Sequence, residues 1–311
     1  MIAELFQKTT LKSYFSSIIL CLLVVIFIHY SKNNGVLRIE FFPNIIIFWL
    51  LFSGIIFLIS FLENKNSVNT FRAIHLLSFP LLYLYFPHGK GLVFFKVLIA
   101  VIIIFSKYSY SRIFNERKSF MRLFDLTFLN ILLILYNKYF SFFLIIPITI
   151  LFNQKFRDLK HLLSFLIPLI FLPLTIYIFH KVLFNNNNFF LEYNYFVNTW
   201  KIDENLYNSE IIWFISIFVA ILSSILFVPR RFEKDRYRGF IFMMFWLYIS
   251  IIMGLLNLQK GQGEWFLSFI PVAYFFGIFI EKIKYIKVKN MVIYLLFFIG
   301  VIFKLIENNI I

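Results

Sequence analysis

The sequence predicts an all-α, polytopic transmembrane protein of about eleven spans (nine to eleven), and three observations carry that prediction. Of its 311 residues 61% are hydrophobic and 14% charged, with a mean hydropathy of +0.85. That leaves too little polar surface to cover a water-soluble globule of this size. The apolar residues fall into eleven continuous runs separated by polar turns, and the lysines and arginines favour every second turn.

The N-terminus, MIAELFQKTTLKSYF, sets Lys8 and Lys12 ahead of a run that reaches about Tyr30. No small-residue cleavage site follows it and ten more apolar runs do, so it is expected to remain as the first span, about 13–30. The others cover roughly 43–62, 71–86, 92–106, 120–136, 139–153, 162–180, 211–228, 240–257, 265–281 and 291–306. A helix rises about 1.5 Å per residue and the hydrocarbon core is about 30 Å thick, so such runs cross with little tilt. They are continuously apolar rather than alternating, which selects helices over barrel strands. The weakest are 71–86, broken by Pro80, and 139–153, joined to its predecessor by little more than Asn137 and Lys138; a re-entrant hairpin there would reduce the count to nine.

Counting cations orients the chain. With the N-terminus in the cytoplasm, twenty-one of the thirty cations fall on cytoplasmic turns, the largest groups lying within 107–122 and 230–238. Seven (Lys32, Arg38, Lys90, Lys138, Lys181, Lys201 and Lys260) fall on the opposite side. This is the positive-inside pattern. It places the C-terminus outside and predicts a single transmembrane domain, 1–311, in a bacterial inner membrane. The long loop 181–210 lies outside too, and its segment FFLEYNYFVNTW suits the headgroup level, where Tyr and Trp are favoured. Lys96 and Lys304 lie inside spans near their outer ends and are expected to snorkel, Lys304 with Glu307 three residues on.

Composition also excludes functions. The net charge of +15 is absorbed by topology and by contact with membrane lipids, so no nucleic-acid partner is expected. Cys21 stands alone, which forbids an intrachain disulfide and leaves it a small core residue. There is no HExxH, CxxC, GxSxG or dinucleotide fingerprint, and HGKGL at 88–92 lacks the spacing of a phosphate loop. No metal or cofactor is expected. The 46 phenylalanines beside five alanines read as the composition of an AT-rich genome rather than an aromatic binding device. With no GxxxG and little Ala or Gly, close helix approach must rely on other residues, serine among them.

Ionisable residues within spans cost a few kcal/mol at mid-membrane unless paired or hydrated. Arg122 and Asp125, three apart at the start of a span, share a helix face and can pair; Arg72 and His75 repeat the spacing. Structural pairing is the first reading of both and a polar cavity the second. On the outer side His29, Arg38, Glu40, His88, Lys90, His180, Glu192, Asp203, Glu204, Lys260 and Glu264 gather acids beside cations. A phosphorylated lipid substrate needs that combination, a carboxylate to act as base or hold a metal and cations on phosphate.

The stretch FMRLFDLTFLNILLILYNKYFSFFLIIPITILFNQKFRDLKHLLSFLIPLIFLPLTIYIF, Phe120 to Phe179, resembles a hairpin, basic turn and following span of membrane glycosyltransferases of the GT-C class. LQKGQGEWFLSFIPVAYFFGIFIE looks like their span with a preceding basic residue and an internal proline. Length and N-terminus look like a family of small uncharacterised bacterial inner-membrane proteins. The GT-C resemblance implies sugar transfer from a polyprenyl-linked donor, with an acid in the first outer loop as base. Glu40 is the residue that matches, flanked by Arg38, with Lys90, Lys260 and Glu264 as binding residues. The departure is that the loop, about 31–42, is short and carries no Asp. A non-catalytic envelope subunit docking protein partners through PRRFEKDRYRG, and a small-solute transporter, are the alternatives.

One consequence is directly measurable. Topology reporters fused at Tyr195 and Glu233 are expected on opposite faces of the membrane, and a common face would overturn the orientation.

Overall fold

The computed structural model of the chain describes residues 2–6, 10–32, 35–36, 42–65, 74–86, 94–114, 118–136, 138–184, 208–228, 234–256 and 265–307. Among the described residues every regular element is helical. These are α1 (Ile2–Leu5), α2 (Leu11–Lys32), α3 (Phe42–Lys65), α4 (Ile74–Tyr83), α5 (Phe94–Ile113), α6 (Ser119–Tyr136), α7 (Ile145–Leu151), α8 (Leu159–Phe184), α9 (Asn208–Leu226), α10 (Lys234–Leu256), α11 (Phe266–Lys282) and α12 (Ile286–Glu307), with 3-10 turns at Lys138–Leu144 and Gln154–Phe156. Each apolar run of the sequence overlaps one or more of these elements among the described residues. Four of the helices, α2, α8, α10 and α12, contain segments long and apolar enough to cross a membrane.

The chain divides into two compact units. The first holds α1 to α4, α9, α11 and α12. Its centre is α11, buried continuously from Phe266 to Gly277, with α4 on one side and α9 on the other. The helices are inside out by the standard of a soluble protein. The buried face of α2 carries Ser13, Ser17, Cys21 and Ser31 among aliphatic residues, whereas Phe15, Ile19 and Leu23 point outward. On α9 the buried residues are Trp213, Ser216, Ile217, Ala220, Ser223 and Ser224, and the outward stripe is Ile211, Ile215, Phe218, Leu222 and Ile225. Serine thus takes the place of the scarce Ala and Gly, as small side chains do where helices pack without a hydrophobic drive between them.

Pro80 explains how α4 is held. Proline has no N–H, so the carbonyl four residues earlier, that of Leu76, loses its donor within the helix. Ser17 on α2 supplies one, its hydroxyl donating to the Leu76 carbonyl at 2.6 Å. Ser78 Oγ donates to the Ala273 carbonyl of α11 at 2.7 Å, and Trp49 Nε1 to the Ile18 carbonyl of α2 at 3.0 Å. Side chains of one helix are bonded to backbone carbonyls of the next, which fixes register as well as contact. Around them lies a buried aromatic cluster in which Phe269 meets Phe52, Phe79, Tyr83, Phe86 and Trp213 with ring centroids 5.3 to 6.0 Å apart. The pairs with Phe79, Tyr83 and Phe86 are edge-to-face and that with Trp213 is stacked, and such aromatic pairs each contribute about 0.5–1.5 kcal/mol beyond area burial.

The second unit holds α5 to α8 and α10 from Arg238 on. Here the weak run 139–153 is not one α-helix but a seven-residue 3-10 stretch followed by the seven residues of α7. The tighter helix rises about 2.0 Å per residue, so the two together cover about 24 Å, close to the roughly 27 Å of α6. They run back along α6, because Asn130 Nδ2 donates to the Phe143 carbonyl at 3.1 Å and Phe156 ends against Phe114 and His161, both at 5.2 Å. Leaving toward the opposite end, α8 turns Leu163, Ile167, Ile170, Phe171, Leu174 and Ile178 outward. Its outward hydroxyl, Thr175, bonds back to the Phe171 carbonyl at 2.6 Å, as a hydroxyl without water must.

A double-mutant cycle checks the proline account. Ser17→Ala is expected to cost about 0.6–1.7 kcal/mol in detergent unfolding, the range for interhelical side-chain hydrogen bonds. Most of that cost should vanish in a Pro80→Ala background, where the helix regains its own donor; equal costs in both backgrounds would sink the account.

Candidate functional site

The sequence-derived site residues Arg38, Glu40, Lys90, Lys260 and Glu264 all lie outside the described residues, as do Arg72 and most of the loop 181–210. The structure therefore brings none of them together and separates none of them. What it does describe is a different site, at one end of the second unit.

Four helix ends meet there. At the end of α5, the Tyr108 ring carries Arg112 at 4.8 Å and Arg122 of α6 at 5.8 Å. Phe114, just past α5, lies under the Arg238 guanidinium of α10 at 4.2 Å, and its carbonyl accepts from Lys155 Nζ at 3.4 Å. Lys107 approaches Gly239 so closely that a Cβ there would sit 3.8 Å from its Cε. Aromatic faces between cations let like charges gather, each contact contributing about 0.5–1 kcal/mol at an exposed site. The result is a strongly basic end, with Asp125 and Asp158 among its acids.

Within it, a cleft of about 480 Å³ opens between α6 and α8, lined by Lys118, Phe120, Met121, Arg122, Phe124, Asp125, Leu163, Ser164 and Ile167. The pair expected from spacing is present, Arg122 Nη1 to Asp125 Oδ2 at 3.3 Å, and both side chains keep some solvent exposure. Pairing and cavity lining are thus properties of the same two residues.

Next to the cleft, α6 and α8 are joined by a contact that spacing in the sequence does not announce. Ser119, the first residue of α6, and His161, in the first turn of α8, share a hydrogen bond between Oγ and Nε2 at 2.8 Å. His161 is buried, and its Nδ1 lies 3.9 Å from the exposed Asp158 carboxylate, beyond hydrogen-bond range. Asp158 accepts from the backbone N–H of His161 and Leu162 through its carbonyl, starting α8. The cluster holds two helix starts together. It lacks the hydrogen-bonded acid that would orient His161 as a catalytic base.

Deeper in this unit three buried polar atoms have no hydrogen-bond partner among the described residues: Ser106 Oγ, Asn130 Oδ1 and Trp246 Nε1. Phe114 meets Arg238 and Tyr110 meets Phe242 at 5.6 Å, so α5 and α10 run antiparallel there.

In the first unit Lys304 departs from expectation. It does not snorkel: its side chain is 2% exposed, and Nζ donates to the Phe86 carbonyl at 3.4 Å. Three successive turns of α12 fit the turn that ends α4. The Leu296 carbonyl accepts from the Tyr85 hydroxyl, a Cβ on Gly300 would meet Leu84 Cβ at 3.0 Å and Tyr85 Cε2 at 3.2 Å, and Lys304 follows. The four-residue spacing of Gly300 and Lys304 was the available signal, since it puts a gap and a cation on one helix face.

No protein family, curated protein or solved structure matches the chain, so these contacts are read on their chemistry alone.

The Ser119 to His161 contact has a checkable cost. Ser119→Ala strands a buried ring nitrogen and is expected to lower stability in detergent by about 1–3 kcal/mol. Ser119→Thr should keep it within about 0.5 kcal/mol, the usual range for a tolerated substitution. A Ser119→Ala variant that unfolds at the wild-type midpoint would remove the contact from the account of how α6 and α8 are joined.

Proposed function

We propose that the chain is a polytopic protein of the bacterial inner membrane, with its N-terminus in the cytoplasm and its C-terminus outside, that handles a lipid-linked glycan or its polyprenyl carrier in building the cell envelope. One observation carries the reading. Contiguous apolar faces on α2, α8, α9 and α12 point outward while serines, Asn130 and Asn290 are kept inside. A surface of that kind is far larger than the apolar patches soluble monomers expose. It suits a substrate that itself resides in lipid, and the basic helix ends suit the phosphate that such a substrate carries.

In its catalytic form the proposal is a GT-C-like transfer of sugar from a polyprenyl-linked donor. Glu40 acts as base on the acceptor, Arg38, Lys90 and Lys260 neutralise phosphate, and Glu264 orients them. In its non-catalytic form the same membrane frame presents the basic cytoplasmic loops to protein partners. Small-solute transport is the second reading, and Ser106, Asn130 and Trp246 favour it, since unpartnered polar atoms deep among helices are where water or a solute finds bonds.

Sugar transfer has a direct test. Glu40→Gln is expected to lower transfer to envelope glycan by at least about a hundred-fold, the scale of a lost general base. Lys260→Ala should weaken it as well, while both proteins stay at wild-type level in the membrane. Normal glycan profiles in both variants would reject the transferase form.

A further inference from the structure

We propose that the cleft between α6 and α8 is a headgroup site for an anionic glycerophospholipid of the leaflet at the basic end, a phosphatidylglycerol in the simplest case. The inference rests on the membrane-embedded reading above and adds a ligand to it. Lys118 and Arg122 stand one helical turn apart at the start of α6, where the helix dipole also favours an anion. They offer a phosphodiester two charged donors. Asp125 lies on the next turn, held by Arg122 at 3.3 Å, and its side chain is 45% exposed, so it retains acceptor capacity for a headgroup hydroxyl.

Charge narrows the class. Two cations and one carboxylate line the cleft, at an end that carries further cations, so a headgroup of net negative charge is favoured. A zwitterionic lipid would bring its own ammonium beside Lys118 and Arg122.

The walls decide for a lipid over a free anion. Met121, Leu163 and Ile167 line the cleft and face outward, and the apolar stripe continues along α8 through Ile170 and Leu174. A headgroup seated on Lys118 and Arg122 therefore has a track for its acyl chains that leads away from the basic end. The volume, about 480 Å³, falls within the usual range of small-ligand sites, about 300–1,000 Å³. Basic recesses between membrane helices are known places for anionic headgroups.

The test uses full-length protein purified from membranes in mild detergent, with bound lipid counted by native mass spectrometry. Phosphatidylglycerol, phosphatidylethanolamine, phosphatidylcholine, a polyprenyl phosphate and inorganic phosphate are the probes. Wild type is expected to retain phosphatidylglycerol about tenfold over the two zwitterionic lipids, and Lys118→Ala with Arg122→Gln to remove that preference. Lys118→Arg with Arg122→Lys should preserve it. Leu163→Glu, which changes an exposed wall residue, provides an independent variant expected to weaken retention to the same degree.

Unchanged preference in both the double neutralised variant and Leu163→Glu overturns the site. Displacement of phosphatidylglycerol by millimolar inorganic phosphate overturns the lipid assignment, and tighter retention of polyprenyl phosphate overturns the glycerophospholipid class. The underlying reading fails separately: a chain released from membranes by alkaline carbonate is not embedded in them, whatever it retains in detergent.

Discussion

A backbone carbonyl without a donor is tolerable in water and costly in lipid, where each unsatisfied group costs several kcal/mol. Pro80 creates such a carbonyl at Leu76, and the Ser17 hydroxyl answers it. Much of the first unit follows from that exchange. It fixes α2 to α4 at one level, and α4, with the turn that ends it, is buried from Leu76 to Phe86. From that segment Ser78 reaches the Ala273 carbonyl of α11, the Tyr85 hydroxyl reaches Leu296 of α12, and the Phe86 carbonyl receives Lys304. A short helix that cannot span a membrane unaided thus becomes the piece to which α2, α11 and α12 are bonded.

This arrangement suits a protein whose helices gain little from mutual apolar contact. When the surroundings are as apolar as the side chains, association depends on packing and on directed polar bonds. The chain places large aliphatic and aromatic residues outward and spends its serines inward, where a small side chain permits close approach and its hydroxyl finds a carbonyl. The aromatic cluster around Phe269 adds shape. It also answers the excess of phenylalanine, part of which is interior packing rather than a surface that grips a ligand.

The sequence made the helices legible because continuous apolar runs of near-span length have no other economical conformation in lipid, and each run is helical. It made the Arg122 to Asp125 pair legible because three residues is a helix-face spacing, and the pair forms. It misread the inner form of 139–153, since a 3-10 stretch has no composition of its own and arises where fourteen residues must match the length of eighteen. Snorkelling of Lys304 was expected from its depth alone, but depth does not say which way a helix faces. Gly300, one turn earlier, turns that face toward Leu84 and Tyr85 and takes the lysine with it. The bond between Ser119 and His161 joins residues forty-two apart on two helices. No periodicity within either helix encodes such a meeting.

Contacts within each unit fix which helix ends lie together. Ser119 begins α6 and His161 lies in the first turn of α8, yet their side chains are 2.8 Å apart. Because α6 is about 27 Å long, that contact requires the chain to travel out along α6 and return before α8 begins, so the segment 138–156 must retrace the whole path. Were it a surface excursion at the far end, His161 would stand most of a helix length from Ser119. The same parity brings Arg112, Arg122, Lys155 and Arg238 to one end. In the first unit it brings α1 to Asn290, and Lys282 to Phe227 at the end of α9. A basic surface is thereby assembled from segments far apart in the chain, each contributing a cation or two, and the cleft beside Arg122 is the place where that surface meets an apolar wall.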